Sequence, residues 1–354
     1  MSNLARRLAT VLGLSATLLT VSTTPAFAHT VGGAGATNYE SHVTGISPKV
    51  AGLSAKVVEN GNKLEVANDA GKELIVLGYS GEPYLRISSS GGVEENLRST
   101  ATYLNQTRFG TSTVPSTADN KGVEWKHIAN GTIAVWHDHR IHWNSTTLPP
   151  PVAAQPGQRH HIVTWHVDML LAGQPVTVTG TLDWIPGPSG LPYDAVMLVL
   201  LVAAGALVWR YRRVAAALLV VLTAADVVNT LGVAADRART SVLGAFGVFP
   251  IVDVVWILAL VTVGFVARGT RLGWQLLIAV AGWMLIVGGL AELGVLTHST
   301  APYAWSLSVQ RACTAVEVPL GLVLVVAGIA ALIPHRRSEA PEPGSPDAAE
   351  AIPA

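Results

Sequence analysis

The sequence contains a single cysteine, Cys313, which lies in an apolar stretch. The residues before position 190 therefore form no disulfide and no thiolate metal site. Charged residues make up only 13% of the chain and the formal net charge is zero, which excludes a nucleic-acid-binding protein that relies on a basic surface. The sequence also lacks a P-loop, a G-x-S-x-G motif and a dinucleotide fingerprint, so we predict no catalytic residues and no enzyme.

Hydrophobic residues make up 50% of the chain and are concentrated after residue 190. An apolar run of about 20 residues is long enough to cross a bilayer as a helix. Five such segments predict a bundle of five transmembrane helices over residues 191–333: Pro192–Trp209, Val214–Val233, Val242–Ala267, Leu272–Leu296 and Ser308–Ile333.

Arginines at the ends of these segments predict the orientation of the bundle, because positive residues accumulate on the cytoplasmic side. Three clusters fall on one side: Arg210, Arg212 and Arg213; Arg268 and Arg271; Arg336 and Arg337. Arg237 and Arg239 lie on the other side as a minor exception. We expect a multi-pass plasma-membrane protein with an extracytoplasmic N-terminal domain and a disordered cytoplasmic tail over residues 334–354, rich in Pro, Glu and Ala.

The first 28 residues have the pattern of a cleaved signal peptide. Arg6 and Arg7 precede an apolar run, and Ala26-Phe27-Ala28 ends the segment with the A-x-A pattern of a cleavage site. Cleavage there would make His29 the N-terminal residue. The free α-amine of His29 would have a pKa of about 8. Together with the imidazole of the same residue, it could then bind one metal ion.

Residues 29–190 have the mixed composition of a folded domain, and their pattern predicts β-structure. Asn60-Gly61 between two short apolar segments indicates a hairpin. Strict alternation over Val176–Trp184 indicates a strand with one buried face. Short strands separated by Gly, Asn, Asp and Pro turns predict an immunoglobulin-like β-sandwich ectodomain ahead of the helices.

Nine of the eleven histidines lie between His29 and His166, and the densest group is in the segment Trp136–Trp143. On an extended strand His137 and His139 share one face, whereas Asp138, Arg140 and His142 share the other. Two imidazoles two residues apart can chelate one ion, with a carboxylate orienting them. We therefore predict a metal site with these candidate ligands: His29, His137, His139, His142 and Asp138. The alternative is a structural Asp138–Arg140 ion pair, with the histidines capping a loop.

The other histidines form weaker patterns. His160, His161 and His166 could form a second site, but simple solvent exposure explains them equally well, and His42 and His127 are typical of surface residues. Imidazole ligands with a terminal amine favour Cu(II), and zinc less specifically. Residues 29–190 contain one methionine, Met169, which argues against a methionine-lined Cu(I) site. Copper is therefore the predicted cofactor.

Polar residues within the apolar segments form a second candidate site: Asp226, Asn229, Asp253, Glu292, Arg311 and Glu317. Such residues are costly in a bilayer, so they are expected to face inward and pair, or to line a path for ions or protons. One interpretation is transport or proton relay through converging carboxylates. The other is a structural polar core in which Arg311 pairs with a carboxylate.

Several motifs resemble those of a group of uncharacterised actinobacterial membrane proteins with an exported domain followed by several spans. The motifs are His29-Thr30, Gly78–Leu85, Tyr103–Asn105, Trp136–Trp143 and Trp184–Pro188. More loosely, the chain is similar to copper-resistance proteins of the CopC and CopD type. That resemblance implies a β-sandwich that binds Cu(II) through an N-terminal histidine, here His29, with His137-Asp138-His139 as the counterpart of its internal histidine. In place of that family's Asp-Gly-His element, this chain has His166-Val167-Asp168.

Together these patterns predict a cell-surface protein that binds and handles a transition metal through its ectodomain and passes the ion to its membrane part or to an envelope partner. The alternative is a non-metal envelope protein whose sandwich binds a partner and whose helices form a structural anchor. Either protein contacts the lipid bilayer.

Overall fold

The computed structural model describes residues 35–333, in which a β-rich domain precedes five long helices. Seven strands form an antiparallel sheet in the order β1-β10-β9-β4-β5-β6-β7, and β2-β3-β8 form a second one. The strands are β1 (Tyr39–Ser47), β2 (Leu53–Val58), β3 (Lys63–Asn68), β4 (Leu74–Leu77), β5 (Pro83–Ile87), β6 (Val93–Asn96), β7 (Trp125–Ala129), β8 (Ile133–His137), β9 (His160–Leu171) and β10 (Gln174–Trp184). Two one-turn helices, Thr100–Leu104 and Pro150–Ala154, lie in the connections.

The two sheets share one hydrophobic core, which confirms the predicted sandwich. Leu64 and Val66 of β3 pack in the same cluster as Leu85 of β5 and Val178 of β10. The hairpin predicted at Asn60-Gly61 joins β2 to β3, and both turn residues have the positive φ that this dipeptide tolerates. The signal peptide, His29 and the C-terminal tail predicted from the sequence lie outside the described residues.

Strand β10 follows the predicted alternation. The apolar side chains expected on one face are buried: Val176, Val178, Leu182 and Trp184. The remaining residue of that face is Gly180, where a Cβ atom would lie 2.1 Å from the ring of Trp165. The glycine therefore makes room for the indole of the neighbouring strand β9.

Five helices are long and apolar enough to span a membrane: Leu191–Arg210, Val214–Ala238, Pro250–Ala267, Arg271–Leu290 and Leu307–Leu332. The third span begins at Pro250 rather than at Val242, because residues 242–245 form a separate turn and Gly247 adopts a φ of 81°. The fourth ends as a π-helix over Met284–Leu290. The fifth span packs against the first, second and fourth.

Loops of the helical part contact the β-domain directly. Thr37 and Thr300 exchange two backbone hydrogen bonds of 2.9 Å each, and the buried Glu65 of β3 forms an ion pair with Arg239, just after the second span. Gly187, in the linker before the first span, lies so close to Thr297 that a Cβ atom would be 1.8 Å from its carbonyl oxygen. This linker is therefore packed against the loop that precedes the fifth span.

Candidate functional site

The segment Trp136–Trp143 leaves the edge of the smaller sheet and turns back on itself. Strand β8 ends at His137, which pairs with Lys63 of β3, and the amide of Ile141 donates to the carbonyl of Asp138 at 3.3 Å. Because the strand ends there, the expected alternation does not continue to His142. The sequence prediction that His142 faces away from His137 and His139 is wrong, since the turn brings all three to one side.

The three imidazoles of this turn converge. One ring nitrogen from each of His137, His139 and His142 lies within 4.8 Å of the corresponding atoms of the other two. The Nε2 atoms of His137 and His142 are 2.7 Å apart. His137 and His142 are buried, and His139 is half-buried. Within residues 35–333, this is the one group of three or more His, Cys, Asp or Glu side chains with that convergence.

Backbone groups hydrogen-bond to the rings and orient them. His139 Nε2 lies 2.8 Å from the carbonyl oxygen of Thr107, and His137 hydrogen-bonds to the backbone of Arg108. His142 Nδ1 lies 3.4 Å from the carbonyl oxygen of Trp143. A ring nitrogen that donates to a carbonyl leaves the other nitrogen with a free lone pair, which is the usual arrangement around a protein-bound metal.

The buried carboxylate of Asp138 stabilises the turn that carries the imidazoles. Its carboxylate accepts from Trp136 Nε1 at 2.8 Å and from Arg140 Nη2 at 2.7 Å. Burial disfavours its charged form, but the hydrogen bonds and charge of Arg140 outweigh burial, and the pKa of Asp138 is lowered. Arg140 also donates to the carbonyl of Leu77 at 3.2 Å. The ion pair of the alternative interpretation is thus present, and it supports the histidine cluster.

The surroundings of His137 and His142 favour their neutral forms. Burial, followed by the charges of His139 and Arg108, lowers the pKa of His137 to about 4. Burial, followed by the charge of Arg108, lowers the pKa of His142 to about 3. Neutral imidazole is the form that ligates metals. The guanidinium of Arg108 is itself held by Asn62 Oδ1 at 2.9 Å.

Three residues around the cluster were not anticipated from the sequence: Asn62, Thr107 and Arg108. Thr107 acts on the histidines through its backbone carbonyl, and Arg108 through its backbone as well as its charge. Backbone carbonyls occur at every residue, so no sequence pattern marks those that orient a ring. Only the fold places them beside the turn.

The remaining histidines of the β-domain do not converge. His160 Nε2 contacts the carbonyl of Gln155 at 2.8 Å, and His161 Nδ1 contacts Asp183 at 2.9 Å. His166 is exposed on β9, with Asp168 3.9 Å away. His42 and His127 contact Thr181 and Asn130, at 3.1 Å each. The weaker second site of the sequence interpretation is therefore not assembled by these side chains.

The helical part brings together some of the predicted intramembrane residues. Asn229 Nδ2 donates to Glu317 Oε2 at 3.1 Å, and Trp256 Nε1 donates to Asp226 Oδ2 at 2.7 Å. Near the N-terminal end of the fifth span, Gln310 Nε2 donates to Glu292 Oε2 at 3.4 Å.

Asp253 and Arg311 have other roles. Asp253 Oδ2 accepts from the amide of Gly247 at 2.9 Å and closes the loop before the third span. The guanidinium of Arg311 donates to the carbonyls of Val295 and His298, at 3.0 and 2.9 Å. The Arg311–carboxylate pair of the structural interpretation is not among the ion pairs of the described residues.

Comparisons of the chain with known protein families, with curated proteins and with solved structures found no match.

Proposed function

We propose that this chain is a cell-surface membrane protein that binds and handles a transition metal, copper, through His137, His139 and His142. The observation that carries the proposal is the convergence of three imidazoles, two of which, His139 and His142, contact a backbone carbonyl through a ring nitrogen. Ordinary surface histidines, such as His166, have no such arrangement.

The contact between His137 and His142 is either an N–H···N hydrogen bond or the place of a bound cation. If each ring donates its Nδ1 proton to a carbonyl, two Nε2 lone pairs face each other at 2.7 Å. Two lone pairs at this distance repel unless a proton or a metal ion lies between them. Metal–nitrogen bonds of about 2.0–2.1 Å with tetrahedral angles place the nitrogens roughly 3.3 Å apart, so a small rotation of the two rings admits an ion.

The donor set favours copper. Imidazole suits both copper and zinc, but Cu(II) binds a given set of nitrogen ligands more tightly than Zn(II) does. Met169, the one methionine of the ectodomain, is 1% exposed in the hydrophobic core. Soft sulfur ligation of Cu(I) therefore has no support at this turn.

The proposal includes the α-amine and imidazole of His29 as further ligands. Gly35, the first described residue, accepts a hydrogen bond of 3.1 Å from Asn60 in the β2–β3 turn. Asn62 in the same turn contacts Arg108, which borders the histidine cluster. Gly35 lies six residues after His29, and an extended chain of that length reaches about 20 Å. The proposal requires that the histidine cluster lie within this reach of Gly35.

Handling means that the ectodomain captures the ion and passes it to the helices or to an envelope protein. With the orientation expected from the arginines, the β-domain faces the cell exterior. The ion pair between Glu65 and Arg239 then holds the β2-β3-β8 sheet, which carries His137, against the outer side of the helix bundle.

The test is titration of the full-length, chelator-treated protein in detergent with Cu(II) and, separately, Zn(II). We expect one tight Cu(II) site whose electron paramagnetic resonance spectrum shows coupling to several nitrogens. Alanine at His137, His139 or His142 should each weaken binding by about tenfold or more, whereas alanine at the exposed His166 should not. Absence of a tight Cu(II) site in the wild-type protein would favour the non-metal envelope protein, and unchanged binding in all three variants would place the copper site elsewhere in the chain.

A second substitution tests the electrostatics of the same site. The positive charge of Arg108 lowers the pKa of both His137 and His142, and it opposes binding of a dication. Arg108→Gln should therefore tighten Cu(II) binding. Loss of binding in this variant would instead mean that the arginine side chain is needed to position the rings. Asn62→Ala is the matched control, because it removes the hydrogen-bond partner of the guanidinium and keeps its charge.

A further inference from the structure

A second buried polar cluster lies inside the helix bundle, apart from the histidine cluster. Asp226 of the second span and Glu317 of the fifth are 2% and 0% exposed. A Cβ atom on Gly288 of the fourth span would lie 2.5 Å from Asp226 Oδ1 and 3.1 Å from Glu317 Oε2. The two carboxyl groups therefore face the same glycine, and the π-helical turn around it lets three spans approach closely. Such turns are frequent at functional sites.

The two carboxyl groups have neutral hydrogen-bond donors. Trp256 Nε1 donates to Asp226, and Asn229 Nδ2 donates to Glu317. Arg311, on the same helix as Glu317, donates to backbone carbonyls instead. The other titratable groups around the pair, Glu292, Tyr303 and Cys313, carry no positive charge. Two ionised carboxylates in this position would be buried without a compensating cation.

Four buried oxygen atoms in this cluster have no hydrogen-bond partner: Glu317 Oε1, Asn229 Oδ1, Gln310 Oε1 and Thr314 Oγ1. Each of them can accept a hydrogen bond, and the side chains that carry them are at most 2% exposed. Buried acceptors without donors are costly, more so in a bilayer. Three of these atoms, Glu317 Oε1, Asn229 Oδ1 and Gln310 Oε1, can only accept, and protonation of the Glu317 carboxylate would supply a donor.

We propose that Asp226 and Glu317 form an intramembrane proton-binding site that holds one proton at neutral pH, with Glu317 Oε1 as the carrier atom. Protonation converts the Glu317 carboxylate into a carboxylic acid, with the proton drawn from water. The new O–H bond donates to one of the unpartnered oxygens, and only one negative charge is left in the pair. The site does not depend on metal binding by the ectodomain.

A row of polar side chains connects this pair to the N-terminal end of the fifth span. Gln310, Thr314 and Glu317 are four and three residues apart, so they lie along one face of the helix. Gln310 contacts Glu292 at 3.4 Å, close to the loop that meets the β-domain. This row forms a polar face that leads from that end of the span to Glu317.

The test is infrared difference spectroscopy of the full-length protein in lipid nanodiscs, titrated from acidic to alkaline pH. We expect a carboxylic-acid C=O band at pH 7 that shifts in heavy water and is lost in Glu317→Gln or in Asp226→Asn/Glu317→Gln. Asp253→Asn is the matched control, because Asp253 accepts from Gly247 at the start of the third span. The band should persist in that variant. Lack of the band in wild-type protein, or its persistence in the double variant, would overturn the proposal.

Thermal stability tests the proposal independently of the infrared band. Glutamine is a neutral isostere of protonated glutamate, so Glu317→Gln should keep the yield and melting temperature of the wild-type protein at pH 7. A sharp loss of both would contradict the protonated state. Sodium ions offer a competing explanation. If sodium, but not a bulky organic cation, raises the melting temperature of wild-type protein and has no such effect on Glu317→Gln, the neutralising charge is a metal ion instead of a proton.

Discussion

The Nε2 atoms of His137 and His142 lie 2.7 Å apart, on two buried side chains that the turn after strand β8 brings together with their rings at 70° to each other. At this distance the pair has room for one proton between the rings, and a second proton would bring two positive charges together. Burial and the charge of Arg108 favour the neutral forms further. Both side chains are therefore neutral near neutral pH, which is the form that ligates metals.

This contact predicts how the stability of the metal-free protein depends on pH. The folded-state pKa values of His137 and His142, about 4 and about 3, lie below the unfolded value of about 6.5. Unfolding therefore takes up protons once the pH falls below about 6.5, and the free energy of unfolding should fall by about 1.4 kcal/mol per pH unit for each histidine. The contribution is complete above the unfolded pKa and lost towards pH 4.

The measurement is the melting temperature of chelator-treated full-length protein between pH 7 and pH 4. The variant His137→Gln/His142→Gln should show a weaker pH dependence in this window than wild-type protein. An identical profile in both proteins would contradict the assigned pKa values.

Substitution of Asp138 should destabilise the β-domain and weaken Cu(II) binding together. The carboxylate is 0% exposed and pairs with Arg140, and removal of one partner of a buried ion pair costs about 3–5 kcal/mol. Asp138→Ala therefore should lower the free energy of unfolding by about this amount, measured by chemical denaturation. The exposed pair Arg98–Asp119 is the control, and Asp119→Ala should leave the unfolding curve unchanged. Reduced metal affinity with unchanged stability would instead indicate that Asp138 ligates the ion.

The N-terminus of protein isolated from membranes should be His29. Intact-mass measurement gives the terminus directly, and retained residues 1–28 would remove the α-amine from the proposed site. In processed protein His29→Ala should weaken Cu(II) binding by about tenfold, whereas His42→Ala, which removes a histidine that contacts Thr181 on β10, should not.

The proposed orientation predicts which positions can be labelled from outside the cell. In a Cys313→Ser background, a cysteine at the exposed Ser90 of the β-domain should react with a membrane-impermeant maleimide on intact cells. A cysteine at the exposed Arg212, between the first two spans, should react only after the membrane is opened. The reverse pattern would place the β-domain inside.

The fold follows closely from local sequence signals. Apolar segments are long enough to define five spans without reference to their neighbours, and alternation in β10 matches its buried face. The start of the third span escaped prediction because Val242 continues the apolar pattern. Only the change of chain direction at Gly247 and Pro250 separates the turn over residues 242–245 from the helix that follows.

The sequence by itself determined where the histidines are concentrated and that carboxylates lie within the spans, because composition is local. Tertiary structure decided which of them meet. His142 joins His137 because the Asp138–Arg140 ion pair closes the turn, and the ring of His139 is set by the carbonyl of Thr107, distant in sequence. Likewise, Asp226 meets Glu317 only because Gly288 lets three helices approach. Contacts between distant segments depend on backbone path and packing, which no short sequence pattern encodes.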